Sequence, residues 1–450
     1  MPDPAFNVPP GFLWGAATAA YQIEGHTQAD GRGESIWDRF ATVPGAIEEG
    51  VSGEGACDHY RRWEQDIDMM VDMGLKAYRY SVAWPRILPT GRGPVNPKGL
   101  DFYERLTDRL LQKGIQPSLT LYHWDLPQAL EDEGGWASRS TAEAFGDYAA
   151  VVAKRLGDRP IHWATFNEPW CVANLGYKVG SQAPGRKESE KVVNQVIHHI
   201  LVAHGLGVKA LRQHAPQGKV GLVFVPAIPL PWHNHEADRE AAEQVWALEN
   251  DWWLEPIFHG RYPKAVWDHK GKDVPQVQPG DMELIHQKLD WLGLNFYFPQ
   301  RVSAEGGKPY HPVTMQAADV KTTLMPGWEI YPPIAEHVLT EFSRRYPKLP
   351  LYVTENGAAF EDPPPDANGV IQDPQRLKYI QDHIKSGLKA LEQGVDLRGW
   401  YVWSLMDNFE WRFGYKKRFG IVGIDYKTFA RHMKASGLWY QRMIRAGLKG

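Results

Sequence analysis

Short apolar runs alternate with longer stretches of helical period along the chain. The runs Phe12–Tyr21, Ala77–Trp84, Pro117–Trp124, Ile161–Phe166, Val220–Ala227, Leu289–Tyr297, Leu351–Thr354 and Gly399–Leu405 are rich in apolar, β-branched and aromatic residues. Their continuity fits strands buried on both faces of a parallel sheet rather than half-exposed antiparallel ones. Between them, Tyr60, Trp63, Ile67, Met70 and Val71 fall on one helical face. So do Leu100, Tyr103, Leu106 and Leu110; Phe145, Ala149, Val152 and Leu156; and Leu377, Ile380, Ile384, Leu388 and Leu391. Gly74, Gly114, Gly157 and Gly394 stand where a C′ glycine ends a helix. Asp66 and Asp68 are expected on the solvated side of the first.

This alternation over 450 residues predicts an α/β chain, a single-domain (β/α)8 TIM barrel spanning 1–450 with long βα loops. No linker or low-complexity run divides it. An open doubly wound sheet shares the alternation, but no strand is followed by a G-x-G-x-x-G turn, and GRG at 31–33 and 91–93 reads as plain turns.

Barrels carry their chemistry at the C-terminal ends of the strands. Those ends supply Gln22, Arg79 and Trp84, His123 and Trp124, Asn167 and Glu168, Asn295 and Tyr297, and Glu355 and Asn356, and the last run carries Trp403 and leads to Glu410 and Trp411. Two are glutamates on opposite sides of the ring, Glu168 and Glu355. Facing carboxyls are what glycoside hydrolysis requires: one protonates the leaving oxygen, the other attacks the sugar carbon or activates water. A gap of about 5–5.5 Å makes the second a nucleophile, and about 6.5–9.5 Å admits a water.

Composition narrows the field. A net charge of −4 gives no footprint for nucleic acid or acidic membranes, and no apolar run is long enough to span a bilayer. Two cysteines, Cys57 and Cys171, cannot build a disulfide framework. Asp3 stands where a secretory leader needs basic charge, so the cytoplasm is the expected compartment. The 19 tryptophans, several beside polar strand ends, suit a flat ligand with an apolar face, as sugars have. Trp63, Trp163 and Trp291 read as core. His198, His199 and His204 lack the spacing of paired zinc ligands on a helix, His233 and His235 read as an exposed loop, and no metal site is expected.

Thr165-Phe166-Asn167-Glu168-Pro169 and Val353-Thr354-Glu355-Asn356-Gly357 resemble the two catalytic signatures of glycoside hydrolase family 1, the β-glucosidase family. The opening segment 12–25 and the segments 78–87, 121–127 and 403–411 continue the resemblance in order. It implies a retaining mechanism without cofactor, with Glu168 as acid/base and Glu355 as nucleophile. It places Gln22, His123, Asn167, Glu410 and Trp411 on the sugar hydroxyls, with Trp403 beneath the ring. Trp124 and Phe419 join the substrate-binding set, and Arg79, Asn295 and Tyr297 surround the nucleophile. Arg79 is expected to lower the pKa of Glu355, while burial and the neighbouring carboxylate raise Glu168 to around 6.

The implied substrate is a small β-glucoside or oligosaccharide, with galactosyl and fucosyl residues also accepted. The rivals are a 6-phospho-β-glucosidase, which Glu410 would oppose by repelling phosphate, and a catalytically silent binding barrel, which would be expected to lose a glutamate. Phe296 and Phe298 depart from the usual Asn-Tyr-Tyr-Thr pattern. Cys171 and Trp328 are expected near the entrance. A homo-oligomer stays open.

Overall fold

The computed structural model describes residues 6–447. Eight parallel strands close into a barrel in chain order: β1 (Leu13–Ala17), β2 (Ala77–Ser81), β3 (Gln116–Tyr122), β4 (His162–Asn167), β5 (Lys219–Phe224), β6 (Trp291–Asn295), β7 (Leu351–Asn356) and β8 (Leu397–Trp403). β1 closes the ring by pairing with β2 on one side and β8 on the other, Leu13 opposite Gly399 and Ala17 opposite Trp403. Each of the eight apolar runs supplies one barrel strand. The first two runs overreach: the chain leaves β1 for a helical turn at Ala20–Ile23, which carries Gln22, and leaves β2 for another at Trp84–Ile87. Apolar composition continues there because the turns are also buried.

The four amphipathic stretches are the helices His59–Met73, Pro97–Gln112, Arg139–Leu156 and Pro374–Glu392, each burying most of its apolar face on the barrel. Val71 falls outside its stripe and is exposed. Gly74, Gly114 and Gly394 have φ of 78°, 72° and 87°, as left-handed helix ends require. Gly157 does not; its φ is −72°, and it is glycine because a Cβ there would lie 1.9 Å from the His214 carbonyl oxygen.

Asp66 is also not where helical periodicity puts it. It is fully buried, its carboxylate 2.7 Å from His59 Nδ1 and 2.8 and 2.9 Å from Arg431 Nε and Nη2. It ties this helix to the C-terminal strand pair Val422–Ile424 and Arg431–Met433. The long loops also build a three-stranded sheet of Pro229–Pro231, Gln300–Lys308 and His311–Met315, which no apolar run announced. Trp63, Trp163 and Trp291 are buried as expected. Among the described residues no helix is long and apolar enough to cross a membrane.

Removing one partner of a buried ion pair strands the other charge away from water. Asp66→Ala is therefore expected to cost about 3 kcal/mol or more, read as a lower urea midpoint; an unchanged midpoint would show that Arg431 finds water instead.

Candidate active site

β7 delivers Glu355 to the barrel mouth, and the chain turns away at Gly357. A Cβ on Gly357 would meet the Trp403 carbonyl oxygen at 1.6 Å, so only glycine lets β7 and β8 approach this closely. Arg79, fully buried on β2, donates from Nη1 to Glu355 Oε1 at 2.6 Å and from Nη2 to Asn167 Oδ1 at 2.5 Å. The Tyr297 hydroxyl donates to Glu355 Oε2 at 2.5 Å.

Glu168 follows β4 in the left-handed conformation, φ 45° and ψ 63°, immediately before a proline. A left-handed backbone is costly for any residue with a Cβ and the following proline restricts it further, and such strain persists only where surrounding contacts over-determine it. Here Asn295 Nδ2 donates to Glu168 Oε1 at 2.6 Å, and the Cys171 thiol donates to Oε2 at 3.1 Å. Asn295 is itself fixed by Thr354, whose hydroxyl donates to Asn295 Oδ1 at 2.7 Å.

Burial raises the pKa of all the carboxyls here. Glu168 is pushed up to about 8, first by desolvation and then by the charge of Glu355. Glu410 is also pushed up to about 8, by desolvation and then by Glu355 and Glu168. Glu355 is raised as well, by desolvation, against the opposing pull of Arg79, Tyr297 and Asn295. The expectation that Arg79 would hold Glu355 below the ordinary range thus meets a larger burial cost. The ion pair still decides the order of ionisation: the negative charge settles on Glu355 and the proton on Glu168.

His123 is held neutral by burial and by Arg79. Its tautomer follows from its neighbours. Asn167 Oδ1 accepts from Arg79 and Asn295, so Nδ2 is the end facing His123 Nε2 at 3.0 Å, and it donates. The imidazole proton then lies on Nδ1, a buried donor without a protein partner. Gln22 Oε1 is likewise buried and unpaired. Gln22 Nε2 donates to Asn408 Oδ1 and the Phe409 carbonyl at 2.9 Å and reaches Glu410 Oε2 at 3.4 Å.

These groups border a cavity of about 410 Å3, lined on its inner side by His123, Asn167, Glu168, Glu355, Trp403 and Glu410. Trp124 and Trp411 pack with centroids 4.6 Å apart, and Trp328 packs on Tyr297 at 4.7 Å and on Phe298 at 5.0 Å. Trp124 also donates its indole N–H to the Asn167 carbonyl at 2.9 Å, so it meets a ligand only with its ring. Phe419 completes the wall.

Of the strand-end residues singled out in the sequence, Gln22, Arg79 and Asn295 lie outside the cavity lining and bond to Glu410, Glu355 and Glu168, which line it. Trp84 is buried in the core and Asn356 donates to the Phe296 carbonyl at 2.9 Å, and the others line the cavity. Cys171 lines it too and touches Glu168. Leu175, Val225, Met325, Pro326 and Phe413 went unnoticed, though Cys171 and Leu175 follow Glu168 at helical spacing and were readable from that. Val225 lies inside the fifth apolar run, one residue past β5, and Met325, Pro326 and Phe413 come from long loops whose path no periodicity reports.

A parallel barrel with two buried carboxyls at its mouth, one paired to arginine and one protonated, among tryptophans and unpaired hydrogen-bonding groups, has the makings of a glycoside hydrolase. The model of Glycosyl hydrolase family 1 matches residues 5–448, and the chain belongs to that family. It is 46% identical to the β-glucosidase of Agrobacterium sp. (strain ATCC 21400), over 100% of this chain and 98% of that one. It is 42% identical to the bifunctional β-D-glucosidase/β-D-fucosidase of Bifidobacterium breve, over 97% and 98%. The solved family 1 β-glucosidase of Thermotoga maritima superposes with a TM-score of 0.93 at 43% identity, over 98% of each chain. The chain is a glycoside hydrolase of the β-glucosidase type.

Arg79→Met would leave Glu355 buried without its cation. The acid limb of the pH–activity profile is expected to rise by roughly 1–3 units; an unmoved limb would assign that limb to another group.

Proposed function

We propose that this enzyme removes terminal non-reducing β-D-glucosyl residues, and β-galactosyl and β-fucosyl residues as well, from aryl glucosides or cello-oligosaccharides by a retaining mechanism. The observation that carries the reading is the unequal treatment of two buried glutamates. Glu355 has Arg79 at 2.6 Å and is the one fit to be an anionic nucleophile; Glu168 keeps its proton and is fit to be the acid.

In the first step Glu168 gives its proton to the leaving oxygen while Glu355 forms an ester bond to the anomeric carbon. That bond removes the charge of Glu355, and with it one of the forces raising the pKa of Glu168. Glu168, now a carboxylate, takes a proton from water as water displaces Glu355. The Cys171 thiol supports this second role, because a donor to Oε2 favours the ionised form. The unpaired atoms of His123 and Gln22, with Glu410, would meet sugar hydroxyls, and the Trp403 ring would take the apolar face of the sugar. Glu410 accepting from neighbouring hydroxyls is the reason both glucose and galactose epimers are expected.

Free rather than phosphorylated sugars fit best. Lys416 and Lys417 are turned to Glu48 and to the Leu324 carbonyl, and Arg418 to Asp407. None of the three lines the cavity, and Glu410 does. The cytoplasm is the compartment proposed, in keeping with Cys57 and Cys171 both being free thiols and not a disulfide.

Purified enzyme is expected to turn over p-nitrophenyl β-D-glucoside and not its 6-phosphate. Glu355→Ala should lose roughly a thousandfold or more in kcat, and Glu168→Ala should lose far more on cellobiose than on substrates with good leaving groups. Wild-type rates in Glu355→Ala, or turnover of the phosphate alone, would overturn the reading.

The profile of kcat/KM against pH should be bell-shaped, falling as pH rises through the pKa of Glu168, near 8. Cys171→Ala removes a donor to the carboxylate and should move that alkaline limb upward by roughly half a unit, with Cys171→Ser restoring it. A limb that stays put in both variants would make the thiol mere packing.

A further inference from the structure

Away from the catalytic cavity, the loop after β5 gathers three metal-ligating side chains. His233 and His235 precede the helix Glu236–Trp246, and Asp238 sits in its first turn. His233 Nδ1 lies 3.0 Å and His235 Nε2 3.7 Å from the same oxygen, Asp238 Oδ2. The three ligand atoms all lie within 4.8 Å of one another, and the imidazole rings stack at 5.1 Å. A tetrahedral ion with bonds of about 2.0–2.2 Å sets its ligands about 3.3–3.6 Å apart, so the two His–Asp separations bracket the required range. A small turn of the exposed rings closes the third.

Access and support are both present. The histidine side chains are 49% and 55% exposed, whereas Asp238 is fully buried and cannot swing away. Its Oδ1 accepts from the Ala304 N–H at 2.7 Å and the Ser303 hydroxyl at 3.2 Å, and its Oδ2 from the His233 N–H at 2.9 Å. Such outer contacts orient a ligating carboxylate. His235 Nδ1 accepts from the Asp238 N–H at 3.4 Å, which leaves Nε2 free to coordinate. The helix N-terminus is unfavourable for a cation, but Glu236 and Asp238 in its first turn offset that partial charge.

We propose that His233, His235 and Asp238 form a site for a divalent transition-metal ion of the zinc type, with water in the remaining position. Two imidazole nitrogens and one carboxylate oxygen suit Zn2+, Ni2+ or Cu2+ and not the oxygen-seeking Ca2+ or Mg2+. Binding requires the His233 imidazole proton to sit on Nε2, so that Nδ1, which faces Asp238 Oδ2 at 3.0 Å, is free to coordinate. The ion would clamp this loop, through Ser303 and Ala304, to the strand Gln300–Lys308, which begins two residues beyond Phe298 of the cavity wall. The site stands apart from the catalytic roles proposed above.

The test is calorimetric titration of chelator-treated enzyme with ZnCl2. A single equivalent is expected to bind at micromolar concentrations, with His233→Ala and His235→Ala each weakening it by roughly tenfold or more. Mg2+ should give no heat. Zinc at a hundredfold its Kd should raise the melting temperature by about 3 °C in the parent and not in the double variant. Hydrolysis of p-nitrophenyl β-D-glucoside should be equal in parent and variants before zinc is added. No saturable heat, or binding undiminished in the double variant, would overturn the site; in the second case the exposed pair His269 and His311, ring centroids 5.5 Å apart, would be the first alternative holder.

Discussion

Arg79 is a cation sealed off from water, and the top of the barrel is organised by the need to satisfy it. Its guanidinium spends one edge on Glu355 and another on Asn167. Through Glu355 it reaches Tyr297, and through Asn167 it reaches His123 and Asn295, which in turn holds Glu168. A buried charge is tolerable only when paired and hydrogen-bonded, so each of these groups has little freedom to point elsewhere. One ion pair thereby fixes the amide orientation of Asn167, the tautomer of His123 and the distribution of charge between two glutamates.

The same low-dielectric setting that makes Arg79 demanding makes the carboxyls differ. In water, Glu168 and Glu355 would be nearly identical acids. Here desolvation lifts both, and proximity to a single guanidinium separates them. The two signatures flanking the glutamates are scaffolding for that separation. The proline after Glu168 and the glycine after Asn356 set backbone positions that no other geometry at those points would give.

All eight barrel strands were legible because parallel strands buried on both faces leave continuous apolar runs. The wall of the cavity was legible wherever a polar residue closed such a run, as His123, Asn167 and Glu355 do. What escaped has physical reasons. Asp66 lies on a helix whose outer side is covered by distant chain at Arg431, so periodicity reports exposure where there is none. Met325, Pro326 and Phe413 sit in the long loops, where no repeat links sequence to direction. His233, His235 and Asp238 straddle a loop and a helix start, so neither helical nor strand spacing brings them together on paper. Gln22 and Asn295 do not line the cavity but bond to Glu410 and Glu168, which do, a distinction of depth that a strand-end position does not encode.

Closure of the ring by β1 against β8 has a consequence for the order of events during synthesis. Gln22 and Glu410 are 388 positions apart, and Leu13 finds its partner at Gly399. A nascent chain therefore carries both glutamates long before the last wall of the cavity exists. Contacts of such sequence separation are slow to form, because the loop they close must first lose its entropy. The pocket is among the last features to assemble, and a chain stopped short of β8 would expose an open sheet edge on each side instead of a smaller enzyme.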